Sequence, residues 1–135
     1  MEKSHTELTA ISEVLENYYF KGIYEGDLNA LKQAYFPGTL LFGDVKGSPY
    51  FKTLPEYFDA VGSRQTPKDS GKTFKGEVLT ITAVNSIAVA EVKVKMYEFN
   101  YHEFLSFHKI DGRWVIVNKM LSDVRTETNL NTEAA

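Results

Sequence analysis

The histidines are the first place to look for chemistry, since imidazole is the commonest metal ligand and a ready general base. They stand at His5, His102 and His108. His102 and His108 fall on one face of a strand but about 20 Å apart, at ~3.3 Å per residue. One ion with bonds of about 2.0–2.1 Å cannot reach both. The sequence has no HExxH pair and no acidic calcium loop, so no metal is expected. Ser106 shares that face with His108, but same-face neighbours on a strand lie ~6.6 Å apart, beyond the reach of a nucleophile and its base. A Gly-x-Ser-x-Gly elbow, a phosphate-binding loop and a dinucleotide glycine fingerprint are all missing. With no cysteine, thiolate nucleophiles, disulfides and cysteine-held zinc or iron–sulfur centres are excluded. The unusual resource is aromatic: nine Phe, eight Tyr and one Trp, 13% of the chain. Phe42, Phe51, Tyr57, Phe58, Tyr97, Phe99, Tyr101, Phe107 and Trp114 come from elements that can enclose one space. They suit either an apolar small-molecule pocket or a tightly filled core.

These residues sit in 135 positions, room for one domain. The formal charge of −3 argues against nucleic acid, whose binding footprint is basic. No apolar run approaches the ~20 residues that span a bilayer. Met1–Glu7 lacks the apolar core of a signal peptide, so the cytoplasm is the default expectation and no membrane partner is expected.

The elements follow from periodicity. Residues 1–7 read as a flexible start. Leu8, Ile11, Leu15 and Tyr18, widened by Val14 and Tyr19, form one helical stripe. Gly26 stops that helix, and Asp27 caps a second one lined by Leu28, Leu31 and Tyr35 and ended by Phe36-Pro37-Gly38. Thr39–Phe42 reads as a short strand and Asp44–Pro49 as a loop. Thr53-Leu54-Pro55-Glu56 is a capping box opening a third helix through Leu54, Tyr57, Phe58 and Val61. Ser63–Lys72 reads as a loop. From Thr73 the period becomes two: strands over 74–84, 87–99, 101–110 and 114–123, with Asp111-Gly112 the strongest hairpin signal. Residues 125–135 read as a disordered tail. Helices first and strands after is the α+β pattern: three helices packed on a curved antiparallel sheet, a cone that can enclose a cavity. The domain spans residues 8–124.

This order of elements resembles the nuclear transport factor 2-like superfamily, in the form of small SnoaL-like bacterial proteins often labelled putative lumazine-binding. The matching residues are Tyr19-Phe20-Lys21-Gly22-Ile23-Tyr24-Glu25-Gly26-Asp27-Leu28, Ala34-Tyr35-Phe36-Pro37-Gly38, and the run from Phe104 to Lys119. The resemblance covers roughly residues 8–124 and implies a cystatin-like cone. It also implies that Trp114, Ile116, Asn118 and Met120 face the cavity. Pattern then puts Tyr101, Glu103, Leu105 and Phe107 there too, while Val92, Val94, Val115, Val117 and Leu121 mark the outer face. An apolar outer face points to a homodimer through the sheet.

Ketosteroid isomerase shares this fold, and similarity to it implies catalytic roles for Tyr19, Asp44 and Glu103. Tyr19 and Glu103 would hold a developing oxyanion, and Asp44 would move the proton, with no cofactor. A carboxyl against an aromatic wall is desolvated, which favours such work. Three readings stay open. The first is binding of a small apolar or aromatic molecule by Phe42, Tyr57, Phe58, Tyr97, Phe99, Tyr101, Phe107, Trp114, Asn118 and Met120. The second is a cofactor-independent isomerase or dehydratase acting next to a carbonyl. The third is a dimeric interaction module without a ligand.

Overall fold

The protein is described by a computed structural model over residues 2–124. The expected disordered tail, 125–135, lies outside the described residues. The first helix runs as α1 (Glu2–Val14), passes through a π-helical stretch (Leu15–Phe20) and ends as α2 (Lys21–Glu25). It begins inside the segment read as flexible, and Glu7 is tied to Lys109 by a 3.0 Å ion pair. The i→i+5 bonds of the π stretch take up one extra residue. Tyr18, on the stripe by regular spacing, is therefore 41% exposed, while Tyr19 is fully buried. Gly26 closes the helix with φ 65°, and the Asp27 carboxylate accepts from the Ala30 N–H to cap α3 (Leu28–Ala34).

The strands are β1 (Tyr35–Val45), β2 (Ser48–Thr53), β3 (Lys75–Val84), β4 (Ile87–Met96), β5 (Phe99–Ile110) and β6 (Arg113–Asp123). Between β2 and β3 lie α4 (Leu54–Ser63), opened by the Thr53–Glu56 capping box, and the single-turn α5 (Pro67–Ser70). The sheet order is β2-β1-β6-β5-β4-β3. Several features differ from expectation. Tyr35 already starts β1, Ser48 and Pro49 start β2 rather than belonging to a loop, and a helical turn interrupts the 63–72 loop. The sheet is mixed, not wholly antiparallel, because β1 runs parallel to β6. The cause is the entry point: α3 delivers the chain beside the start of β6, with Tyr35 next to Ile116.

The helices cover one face of the sheet. Ile11, Leu15, Tyr19, Ile23, Leu31 and Val61 meet Ala90, Val92, Leu105, Phe107 and Ile116 in one core. A β-bulge decides what β6 contributes. Ser106 pairs with Asn118 and Phe107 with Ile116, so Val117 is an extra residue. An extra residue reverses alternation beyond it. Lys119 and Leu121 turn inward, 3% and 7% exposed, and Asn118 and Met120 turn outward. The inward placement expected for Asn118 and Met120 is corrected on this ground. Val92 and Val94 are also inward, because Glu91, Lys93 and Lys95 alternate with them and take the outer side. Of the expected outer stripe, Val115 keeps its place, beside His108.

Candidate functional site

One strand position sets the site. Glu103, near the middle of β5, points inward and is 1% exposed. A carboxylate in such a place needs hydrogen bonds and an opposite charge. Both arrive from elements distant in sequence. Tyr19, turned inward by the π stretch, donates its phenol O–H to Glu103 Oε1. Lys119, turned inward by the bulge, places Nζ 3.6 Å from Glu103 Oε2. The ammonium also lies 5.2 Å from the ring centre of Tyr19 and 4.9 Å from that of Tyr57, within cation–π range. Tyr57 comes from α4, whose capping box fixes where that helix starts.

The same neighbours hold protons in place. Burial pushes the Tyr19 phenol well above its ordinary value, and the Glu103 charge adds to that. Tyr35 is raised by burial, then by Tyr57 and Glu103. Burial pulls Lys119 down, but Glu103, then Tyr57 and Tyr50, outweigh it and the net shift is upward. Lys119 is therefore a cation, not a neutral amine.

Glu103 and Lys119 open onto a small cavity of about 40 Å³ that continues to solvent at its mouth. Its wall is Ile23, Tyr50, Tyr57, Arg64, Met96, Tyr101, Glu103, Lys119 and Leu121. Most of these carry a hydroxyl or a charge, so the cavity is polar-aromatic rather than apolar. It is narrow, with room for a few water molecules or for one end of a small molecule entering from the mouth. Among the described residues, no three His, Asp or Glu side chains converge as a metal site requires.

Of the residues singled out from the sequence, Tyr19 and Glu103 are joined by a hydrogen bond, and Tyr57, Tyr101 and Glu103 line the cavity. Phe99 stacks on Tyr101 at 5.2 Å, and Phe58 packs behind on Tyr57 and Tyr35. Tyr97 lies under Arg64, with 5.8 Å from guanidinium to ring centre. Phe107 and Trp114 are core fillers, 2% and 4% exposed, not wall residues. Asp44 lies on the opposite face, accepting a hydrogen bond from Ser122 Oγ at 2.7 Å, and cannot reach the cavity. Phe42, Asn118 and Met120 also lie on that outer face, by the register of β1 and β6.

The sequence reading missed Lys119, Arg64 and Tyr50. Lys119 had one available signal: an inward Glu103 on an apolar strand demands a cation, and the adjoining strand offers Lys119. The bulge that delivers it leaves no local mark in Val115-Ile116-Val117-Asn118.

Comparison with known proteins agrees with this architecture. The chain is 28% identical over 102 residues to a protein named aldolase FrzH from Cladobotryum sp, covering 76% of this chain and 80% of that one. A nuclear transport factor 2-like protein of unknown function from Shewanella baltica is similar in structure, at 24% identity and TM-score 0.77, over 90% of this chain and 96% of that one. One from Silicibacter pomeroyi aligns at 17% identity and TM-score 0.80, over 90% and 98%. The family model described as "Putative lumazine-binding" matches residues 6–122, and with its nuclear transport factor 2-like fold the chain belongs to that family.

Proposed function

We propose that the cavity holds a small carbonyl compound and that Glu103 moves a proton at the carbon next to that carbonyl. The observation that carries this reading is the buried Glu103–Lys119 pair on the cavity wall, with Tyr19 holding one carboxylate oxygen. A buried ion pair is a weak device for stability, since a hydrophobic replacement does as well or better. Placed beside a cavity, it is a strong device for acid–base work.

In the proposed step, Glu103 Oε2 accepts the C–H proton. The C–H electron pair becomes a C=C bond, and the carbonyl pair moves onto oxygen. The Lys119 ammonium stabilises that oxyanion. Tyr19, given the oxyanion role by resemblance, is instead a positioning residue, because its O–H is committed to Glu103. Return of the proton to another carbon is an isomerisation. Attack of the enolate carbon on a second carbonyl is an aldol reaction. The relative named aldolase supports the second outcome. The upward shift of Lys119 supports an enolate over an imine, since a Schiff base starts from a neutral amine. The test is carbon-bound deuterium uptake in D2O by small ketones, aldehydes and oxo acids, followed by NMR. Uptake should occur with the native protein and fall at least ~100-fold in Glu103→Gln, the scale of a lost general base. No uptake by any compound, or equal uptake by the variant, would overturn the reading.

The outer face supports a second copy of the chain as partner. Phe51, Phe42, Met120 and Phe104 lie side by side across β2, β1, β6 and β5, each between 40% and 55% exposed. A contiguous apolar row of this kind marks an interaction surface, and a two-fold axis would set it against the same row of a second copy. Sedimentation of the native chain as a monomer would remove this part of the proposal.

A further inference from the structure

Arg64 is the charged wall residue that the acid–base step leaves unused. It stands at the C-terminal cap of α4, where its backbone N–H bonds to the Ala60 carbonyl at 3.2 Å. Its guanidinium rests on the ring of Tyr97. That ring is itself fixed: Tyr97 has φ 52° in the turn between β4 and β5, and its hydroxyl donates to the Gln65 carbonyl. Arg64 is thus supported from behind. Its Nε and Nη2 are buried and have no hydrogen-bond partner among the described residues. Buried donors of a charged group are costly to leave unpaired, so the pair needs an acceptor.

The identity of the two atoms narrows the acceptor. Nε and Nη2 form one edge of the guanidinium, two parallel N–H donors spaced for the two oxygens of a carboxylate. The charge balance agrees. The cavity wall holds two cations, Arg64 and Lys119, against one carboxylate, Glu103. The guanidinium charge is felt at Tyr50, Tyr101 and Lys119, all wall residues, so it acts on the same space. Lys119 is already matched by Glu103, which leaves the charge of Arg64 for the ligand.

Building on the carbonyl reading above, we infer that the ligand is an oxo acid whose carboxylate is held by the Nε and Nη2 edge of Arg64 while its carbonyl lies toward Lys119. Arg64 is then a specificity residue: it selects acids over neutral carbonyl compounds and fixes which carbon meets Glu103.

The test uses pyruvate, 2-oxobutyrate and levulinate, each paired with its methyl ester. Affinity is measured by calorimetry, and carbon-bound deuterium uptake by NMR. At least one acid should bind native protein ~10-fold or more tighter than its ester. Arg64→Gln should bring that ratio close to one by weakening the acid more than the ester, and Arg64→Lys should keep part of the preference. Equal binding of acids and esters, a ratio untouched by Arg64→Gln, or no binding by any acid would overturn the inference. The two proposals fail separately. Arg64-dependent binding without deuterium uptake would sink the acid–base reading alone. Uptake by acids and esters alike would sink the carboxylate inference alone.

Discussion

Glu103 and Phe104 are neighbours on β5, and each occupies the environment suited to the other. The carboxylate is 1% exposed beneath the helices, and the phenyl ring is 50% exposed on the open side of the sheet. Their rows repeat the inversion. Inward of the sheet, Tyr50, Glu103 and Lys119 bring polar groups to the cavity wall. Outward, Phe51, Phe42, Met120 and Phe104 bring apolar groups to the surface. Packing for stability alone would produce the opposite distribution. Neither departure is explained by folding: under the functions proposed above, the inner face acts on a small molecule and the outer one meets a second copy.

The largest expected effect lies on the inner face. Lys119→Met leaves Glu103 buried without its cation and should destabilise the fold by about 3–5 kcal/mol. Adding Glu103→Gln to Lys119→Met should recover most of that loss, because Gln still accepts from Tyr19. Urea denaturation of the single and double variants measures both values. On the outer face, Phe104→Asp should convert the proposed dimer to a monomer while the melting temperature stays nearly unchanged. Light scattering and calorimetry separate those two readouts, and an undisturbed dimer would take Phe104 out of the interface.

A pH series sharpens the contrast, since it acts on the inner groups. Lys119 holds its proton more tightly folded than unfolded. Its contribution is complete below the unfolded value near ~10.4 and is lost as pH rises through the higher folded value. Tyr19, raised by burial, has the same sign: the unfolded phenol ionises first, near ~10, and draws the equilibrium toward unfolding. Stability should hold to about pH 9–10 and then fall, with a shallower fall in Tyr19→Phe. Thermal melts across that range would contradict this if stability stayed flat or rose. The smallest effect is Thr53→Ala, which removes the cap of α4 and should cost about 1 kcal/mol. It should also loosen Tyr57 over Lys119.

How much of this was legible in the sequence follows from how local each cause is. The Asp27 and Thr53 caps, the Gly26 stop and the Asp111-Gly112 hairpin were readable, because each is decided within a few residues. Glu103 was placed inward by simple alternation, and Tyr19 was found at the end of the first helix. Tyr18 was misjudged because a π stretch changes the period without a residue-level signature. Asn118, Met120 and Lys119 were lost to one extra residue, Val117, visible only once β5 and β6 are paired. The parallel β1–β6 pairing joins residues some eighty positions apart and leaves no periodic trace. Asp44 was proposed by analogy to another protein's layout, and Gly43 beside it shows why that failed. Its φ is 154°, and a Cβ there would meet the Leu121 carbonyl oxygen at 1.7 Å. The inward position is filled by backbone contact, and Asp44 is left to the outside.

The central claim is that the Glu103–Lys119 pair is kept for chemistry, not for stability. The most direct measurement is deuterium uptake by the panel of carbonyl compounds with the double variant Glu103→Gln, Lys119→Met beside native protein. A folded double variant, as stable as native within about 1–2 kcal/mol, whose uptake drops to the uncatalysed rate is the predicted result. A folded double variant that still catalyses uptake at the native rate would contradict the claim.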